Sequence, residues 1–498
     1  MNTICQDKQT KVFLNWFTNN GGTIHSAVEI AEFPAMGRGA VAIEDIKKDT
    51  VLFTLPRSLT LSLRTSSLPM KFGLKAWRKH RLHKGWAGLI LCMMWEDTNG
   101  EAGKWFGYLQ SLPSKFTTPM MWALDDLAEL EGTSIFDKIG RKSAEDDYYQ
   151  TLLPAMKTRP DLFDPEKLDI LYSIEQYHTM GSRILSRCFH VEMFDEDEDA
   201  DEGAACDVGL TTQSDDDNDT DDDSDDDEDS ADVAMVPMAD ILNARYKSEN
   251  AKLCYELKDL EMISTKDIKK GEQIVIVFPL SLSSALLQCQ FNTYGDPPNS
   301  DLLRRYGHVD IFPLKDGMIG NPADVVEIRL DIVVDVLKEL KTEEKVFARI
   351  DWWLDRGDDV YNYEMEGDIP KPPEELISFI RLLTMPEDEW LKTREKGKIP
   401  KPKFVPKVAN ILIRALELRL KQYKTTLNED KTLLQTDLSQ NKRMAVIIRM
   451  GEKRILESAI RELSEYIPVP QSDPPGPQKR VSPSHSSKER FSKSRKVK

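Results

Sequence analysis

The sequence predicts an α+β protein: small β-sheets interrupted by a helical insert, followed by an all-helical C-terminal domain. Three observations predict it. Short β-like runs occur near the start and return after residue 250. A long stretch of helical character separates the two groups. From Val325 onward apolar residues recur at helical spacing.

Met1 to about Gly22 predicts a short amphipathic helix, because Val12, Phe13, Trp16 and Phe17 share a face. Ile24–Val28, Ala40–Ile43 and Val51–Leu55 predict strands. Trp86–Trp95 predicts a buried helix, and Thr117–Arg187 is mostly helical, with loops around Pro160 and Asp164. β character returns at Ala251–Leu257, Leu260–Ser264 and Glu272–Phe278. One internal echo stands out. Asp45-Ile46-Lys47-Lys48 precedes Val51–Leu55, and Asp267-Ile268-Lys269-Lys270 precedes Gly271-Glu272; both read as polar turns feeding a strand. In the C-terminal part, Leu330, Val333, Val334 and Leu337 share a helical face. So do Leu412, Ala415, Leu416 and Leu420, and then Met444, Ile447 and Ile448.

The chain has 498 residues and a formal charge of −18, but Asp195–Asp232 holds 21 acidic side chains and no Lys or Arg. Without that run the charge is +3, so the acidity describes one segment and not a whole surface. The run is low-complexity and self-repelling, and disorder is expected there. The tail after Val469 is rich in Pro and Ser and carries eight Lys or Arg between Lys479 and Lys498. It reads as a disordered basic arm. None of the six cysteines falls in a CxxC pair, so neither a structural zinc nor a disulfide framework is expected. The first residues lack a signal-peptide pattern. The longest apolar stretch, Ile274–Leu287, is broken by Pro279 and is too short to span a bilayer. A soluble intracellular protein without membrane attachment is expected.

Four separated pieces carry the chemistry. Met36-Gly37-Arg38-Gly39-Ala40-Val41-Ala42 is either a plain tight turn or a place where backbone approaches a ligand. It opens no helix of a βαβ unit, which excludes a dinucleotide fingerprint. Ser186-Arg187-Cys188-Phe189 ends a helical run, and Arg187 is either a surface ion-pair partner or a ligand clamp. In Val236-Pro237-Met238-Ala239-Asp240-Ile241-Leu242-Asn243, Asp240 and Asn243 are polar residues in an apolar stretch. They must find hydrogen bonds, either in a capped turn or toward a ligand. The fourth piece runs from Phe291-Asn292-Thr293-Tyr294-Gly295-Asp296 to Asn299-Ser300-Asp301-Leu302-Leu303-Arg304-Arg305-Tyr306-Gly307. Taken singly, Tyr294 and Tyr306 read as core aromatics.

Together these pieces resemble the SET-domain methyltransferases of the Rubisco large-subunit methyltransferase-like class. The similarity is greatest to its fungal ribosomal lysine methyltransferases and the animal SET-domain-containing protein six group. Lys104-Trp105-Phe106-Gly107-Tyr108-Leu109 and Leu112-Pro113 match the start of the insert that this class carries. The resemblance implies a SET domain over residues 22–310, with its helical insert at about 80–185 and the acidic loop at 195–232. A helical substrate-binding domain over 311–468 and the tail 469–498 follow.

It also implies the cofactor S-adenosyl-L-methionine. Met36 and the Gly37-Arg38-Gly39 backbone would lie along it, and Arg187 would meet its carboxylate. Asn243, with Ala244 beside it, would bind the amino-acid moiety and adenine edge. Tyr306 would pack near the adenosine end. Tyr294 would be the catalytic tyrosine, with its hydroxyl facing both methyl donor and substrate nitrogen. Trp105 and Asp240 would lie on the substrate side. These residue types suit the reaction. Displacement at a sulfonium needs a neutral amine, yet lysine has a pKa of about 10.4. A narrow apolar channel disfavours the ammonium, and fixed oxygens can aim its lone pair. The reaction requires no metal.

The sequence departs from the family pattern twice. Many SET domains have His after the motif Asn, where this chain has Ala244. In addition, sixteen residues, Val275–Gln290, separate Gly271-Glu272-Gln273-Ile274 from Phe291-Asn292-Thr293-Tyr294. One reading is a true strand extension and loop. The sharper reading is a retained intron: Val codons begin GT, Gln can be CAG, and excision rejoins the motif halves in frame.

The expected function is methylation of a lysine in a basic large-subunit ribosomal protein, which the acidic run could attract. A histone or other nuclear target, or a catalytically impaired SET-fold binding protein, are the alternatives. The basic tail reads as a nuclear-import signal or a solubilising arm, and a nuclear, monomeric protein without direct nucleic-acid binding is expected. Sequencing of the mature transcript decides the intron reading. Codons 275–290 should be missing from it, and their presence in spliced message refutes an intron.

Overall fold

Two four-stranded antiparallel sheets each draw strands from both sides of the helical insert. The first runs Thr3–Ile4, Val28–Phe33, Gly37–Ala42, Gln273–Ile274. The second runs Thr23–Ile24, Val51–Pro56, Asp259–Ser264, Ala251–Tyr255. They are seen in a computed structural model of the chain, in which residues 3–5, 7–33, 36–192, 231–243, 248–276, 297–315, 317–339, 346–367 and 369–466 are described.

The strands form where side chains alternate or are buried on both faces. Asp259–Ser264 places Leu260, Met262 and Ser264 inward and the residues between them outward. The first expected helix is shorter than predicted, running Lys8–Asn19. It begins there because the Asp7 side chain accepts the Thr10 N–H at 2.9 Å. Thr3 and Ile4 instead add an edge strand, pairing with Glu32 and Ala31.

The internal echo does more than feed two strands: its copies pair with each other. Ile46 and Ile268 exchange backbone hydrogen bonds of 2.8 Å in both directions. Asp45 bonds Lys269 Nζ at 3.0 Å and Lys270 N–H at 2.9 Å. In the same way Asp267 bonds Lys47 Nζ and Lys48 N–H, both at 3.0 Å. This reciprocal clasp ties the strand before the insert to the strand after it.

Within the insert, helix Ala87–Thr98 is apolar from Ala87 to Trp95, largely buried, and packs against Ile174–Arg187. The latter is capped by Ser173, whose Oγ accepts the Gln176 N–H. Sheets and insert share one core, from Phe13 to Ile276. Cys188–Glu192 and Ala231–Met235 form a further antiparallel pair. The expected disordered run therefore ends before Asp232, which pairs with Val191 and belongs to a strand. Burial raises its carboxyl pKa, against a Ser62 hydrogen bond and Arg64. Residues 195–230 lie outside the described residues.

The C-terminal part is helical, as its periodicity predicts: Leu330–Glu339, Phe347–Leu354, Glu374–Thr384, Glu387–Lys396, Pro406–Leu420, Leu427–Leu433 and Gln440–Tyr466. It also carries a three-stranded antiparallel sheet of Val326–Arg329, Val360–Glu366 and Ile369–Lys371. Tyr361 and Tyr363 point inward from its middle strand, an alternation that a helical reading passes over. These elements have their own core, from Val326 to Leu463.

A smaller cluster joins the two parts: Trp122, Leu130 and Ile135 of the insert meet Leu303 and Met444, Ala445 and Ile448. Buried charges flank it. Arg449 lies between Asp430 at 2.8 Å and Glu129 at 2.9 Å, and the fully buried Lys453 ammonium lies 2.6 Å from Asp430. Removing one partner of such a set costs about 3–5 kcal/mol, because it leaves a buried charge alone. The expected basic tail, 469–498, lies outside the described residues. Among the described residues no helix is long and apolar enough to cross a membrane.

The clasp gives a pH-dependent expectation. The backbone N–H and lysine partners hold the Asp45 and Asp267 carboxyls below the usual range. A lowered folded pKa stabilises above the unfolded value and is lost as pH falls. Asp45→Asn with Asp267→Asn should therefore lower Tm by a few degrees at pH 7. The gap should close below about pH 4 in calorimetry. A gap unchanged at low pH contradicts the ionic part of the clasp.

Candidate functional site

Strand Gly37–Ala42 lies against the short turn Ala239–Ile241, and the site forms along this contact. Gly37 sits at φ +71 with open space where a side chain would project, so only glycine takes this turn without strain. Gly39 is required for a different reason. A Cβ there would meet Asn243 Nδ2 at 2.7 Å and Gln273 Nε2 at 2.9 Å. Asn243 Nδ2 instead donates to the Arg38 carbonyl at 3.3 Å. Next to the turn, Met238 holds φ +74, a left-handed conformation unusual for a non-glycine residue, with its side chain buried.

Asp240 is buried beneath this contact. Its Oδ2 accepts the Tyr108 hydroxyl at 2.8 Å. Arg187, at the end of helix Ile174–Arg187, donates to the Asp240 carbonyl at 2.6 Å and stands 3.8 Å from Oδ2. Burial raises the Asp240 pKa; Arg187 and the Tyr108 hydrogen bond pull it down. Burial and the Asp240 charge lift Tyr108 well above its ordinary value, so it remains a proton donor. The Arg38 guanidinium reaches the Ser111 carbonyl, and Arg183 bonds the Pro113 carbonyl at 3.1 Å. The stretch after Tyr108 is thereby held against the glycine strand.

Helix Asn299–Tyr306 packs on helix Ile174–Arg187 and brings Tyr306 within the influence of the Arg187 charge. Burial raises the Tyr306 hydroxyl pKa. Gly307 ends the helix at φ +75, packed on Thr117, whose hydroxyl donates to the Gly307 carbonyl at 3.1 Å.

The structure thus brings Met36, Gly37, Arg38, Gly39, Arg187, Asp240, Asn243 and Tyr306 into one region. Tyr294 and Ala244 lie outside the described residues. Trp105, expected on the substrate side, is a buried side chain. It is 1% exposed, donates to the Leu59 carbonyl at 3.0 Å and lies under Lys104 Nζ at 4.3 Å from its ring centroid. Those contacts make it a core residue. Sequence reasoning missed Tyr108 and Gln273. Both stood inside quoted strings, KWFGYL and GEQI, but nothing in a string shows that Tyr108 reaches Asp240 across 132 residues. Among the described residues no cluster of His, Cys, Asp or Glu could hold a metal.

Comparison with known proteins now adds to this geometry. Residues 340–456 match the family described as Rubisco LSMT substrate-binding. Ribosomal lysine N-methyltransferase 4 of Saccharomyces cerevisiae is 27% identical over 338 residues, covering 67% of this chain and 60% of that protein. N-lysine methyltransferase SETD6 is 26% identical in Mus musculus, over 90% of this chain and 89% of that one. The Homo sapiens protein is 27% identical over 85% and 84%. A solved structure of the SET domain of LSMT bound to methyllysine and AdoHcy superposes with TM-score 0.60 at 16% identity, covering 93% of this chain and 92% of that one. Rubisco LSMT bound to AdoMet superposes with TM-score 0.57. Over most of its length the chain is thus similar to SET-domain proteins of the Rubisco LSMT-like class, and it shares their fold. The relatives are N-lysine methyltransferases by name, and the solved structures hold S-adenosyl-L-methionine or its demethylated product.

The residues present fit that cofactor. Arg187 Nε and Asp240 Oδ1 are buried without hydrogen-bond partners beside the glycine strand. Such polar atoms are costly unless something completes them. S-adenosylmethionine supplies an electrophilic methyl group and brings a carboxylate and an amine that such donors and acceptors can bind. Gly39→Ala should weaken S-adenosylhomocysteine binding at least about tenfold in calorimetry, since its Cβ displaces the Asn243 amide. Unchanged affinity in a folded variant removes Gly39 from the site.

Proposed function

We propose that the chain transfers a methyl group from S-adenosylmethionine to a lysine of a basic protein of the large ribosomal subunit. The observation that carries the site is the convergence of Gly39, Arg187, Asn243 and Tyr306 from four separate sequence pieces, with Arg187 Nε and the adjoining Asp240 Oδ1 buried without a hydrogen-bond partner among the described residues. Met36 and the Gly37-Arg38-Gly39 backbone line the cofactor. Arg187, whose side chain is 24% exposed, turns its remaining donors to the cofactor carboxylate. Asn243 and the neighbouring Ala244 hold the amino-acid and adenine portions, and Tyr306 packs on the adenosine end.

Tyr294 is the catalytic tyrosine. Its hydroxyl would aim the neutral lysine nitrogen at the methyl carbon, a transfer that an apolar channel favours by disfavouring the ammonium form. Asp240 acts from beneath, by orienting Arg187 and Tyr108. The ribosomal target is supported by the similarity to Ribosomal lysine N-methyltransferase 4 of Saccharomyces cerevisiae. A basic substrate is supported by the 21 acidic side chains of the run at 195–232. The protein works as a monomer in the nucleus, where ribosomal proteins assemble, and the basic tail directs it there.

Labelled S-adenosylmethionine and ribosomal extract test this. Label should appear on one large-subunit protein and be lost in Tyr294→Phe. Label on histones instead contradicts the target. Cofactor binding without transfer, in protein lacking residues 275–290, contradicts the activity.

A further inference from the structure

Helix Asn299–Tyr306 has no side-chain cap of its own, because Pro298 precedes it. The cap comes from the C-terminal region. Asp324 Oδ1 accepts the Asn299 N–H at 2.9 Å, and Oδ2 accepts the Asn321 N–H at 3.3 Å. Asn321 Nδ2 donates to the Pro297 carbonyl at 2.9 Å, which fixes the two residues before the helix as well. Asn299 turns its own side chain to Asp310. Its Nδ2 donates to the Asp310 carbonyl at 3.1 Å, and its Oδ1 accepts the Asp310 N–H at 2.8 Å. The loop that leaves the helix is thus tied back to the residue that begins it.

Asn299, Asn321 and Asp324 are 0%, 1% and 5% exposed. Behind the carboxylate stands Gly451 of helix Gln440–Tyr466, where any Cβ would collide with Asp324 Oδ2. A carboxylate is a costly choice in this place. Burial raises the Asp324 pKa to about 7, and Glu452 pushes the same way, against the two backbone donors and Arg454. A simple cap needs none of this, since an exposed Ser, Thr or Asp before the helix serves as well.

The helix is eight residues long, roughly 12 Å, and ends in Tyr306. Its far end rests on Thr117 of the insert. The helix that carries Tyr306 is thus held by Asp324 at its start and by Thr117 at its end.

We propose that Asp324, together with Asn321, is a positioning residue for methyl transfer. Through helix Asn299–Tyr306 it sets the place of Tyr306 against Arg187, so the C-terminal region completes the cofactor site as well as serving substrate. The proposal rests on the reading of Tyr306 as cofactor-facing. Asp324 touches no reactant and acts only through the helix. Asn321 and Asp324 lie outside the stretch matched to the substrate-binding family, which begins at 340.

The test uses the full chain with Asp324→Ala, Asp324→Asn, Asn321→Ala and Tyr306→Ala. It reads three quantities: S-adenosylhomocysteine affinity by calorimetry, hydrogen exchange over 299–310, and exchange over 440–466. No methyl acceptor is needed. Asp324→Ala should raise Kd about tenfold and speed exchange over 299–310, with 440–466 as in the wild type. Asp324→Asn keeps one acceptor and should rescue part of the affinity. Asn321→Ala should give a smaller loss in the same direction. Wild-type affinity in the Asp324 variants, with Tyr306→Ala weakened, overturns the proposal and leaves the Tyr306 reading standing. Wild-type affinity in Tyr306→Ala overturns that reading and the proposal with it. Faster exchange throughout 440–466 in both Asp324→Asn and Asn321→Ala reduces the role to general stability and also overturns the proposal.

Discussion

The backbone of Gly39 passes so close to the Asn243 and Gln273 amides that even a methyl group cannot stand between them. Three parts of the chain meet at that contact: the N-terminal hairpin, the turn after the acidic run, and the strand Gln273–Ile274 that closes the first sheet. The approach holds because the sheet is tied from outside by the Asp45–Lys269 and Asp267–Lys47 clasp. It is tied from inside by the shared core. With those two constraints, Asn243 has little choice but to bond the Arg38 carbonyl, and Arg187 and Asp240 meet beneath it.

The second constraint is electrostatic. Tyr108, Asp240 and Arg187 form a buried set in which every member lowers the cost of another. The hydroxyl and the guanidinium favour the Asp240 charge, and the charge keeps Tyr108 protonated. Among the described residues the set is incomplete, since Asp240 Oδ1 and Arg187 Nε have no hydrogen-bond partner there. A site left in that state is made to be completed by a ligand with its own charges, and S-adenosylmethionine carries both signs. The network at Glu129, Asp430, Arg449 and Lys453 differs because its two anions match its two cations. It holds the insert to the last helix and needs no ligand.

Much of the fold could be read from the sequence. Short β-like runs marked several strands of the two sheets, though not Thr3–Ile4 or Val28–Phe33, and period-3.6 patterns marked the C-terminal helices, because burial on one face leaves a local signature. What could not be read depends on partners far apart in sequence. The echo at Asp45 and Asp267 was visible as two turns, but its mutual pairing spans more than 200 residues. Trp105 stood in a family string and yet lies in the core; a string gives no direction for a side chain. Tyr361 and Tyr363 were overlooked because one short alternating strand sits among strong helical periods. The extra stretch at Val275 is a mixed case. Val275 and Ile276 are buried and bridge to Asn243 and Ala251. Such bridges use backbone groups, so Phe291 and Asn292 could take the same places if 275–290 were removed. The pairing therefore suits either reading of that segment.

The central claim is that Gly39, Arg187, Asn243 and Tyr306 surround one S-adenosylmethionine molecule. A crystal structure of the chain with S-adenosylhomocysteine tests it most directly. The account predicts the ligand along the Gly37–Gly39 backbone, its carboxylate on Arg187, its amino-acid portion at Asn243 and its adenosine beside Tyr306. Ligand density elsewhere, or density here with Arg187 and Asn243 bonded only as they are now, would contradict it.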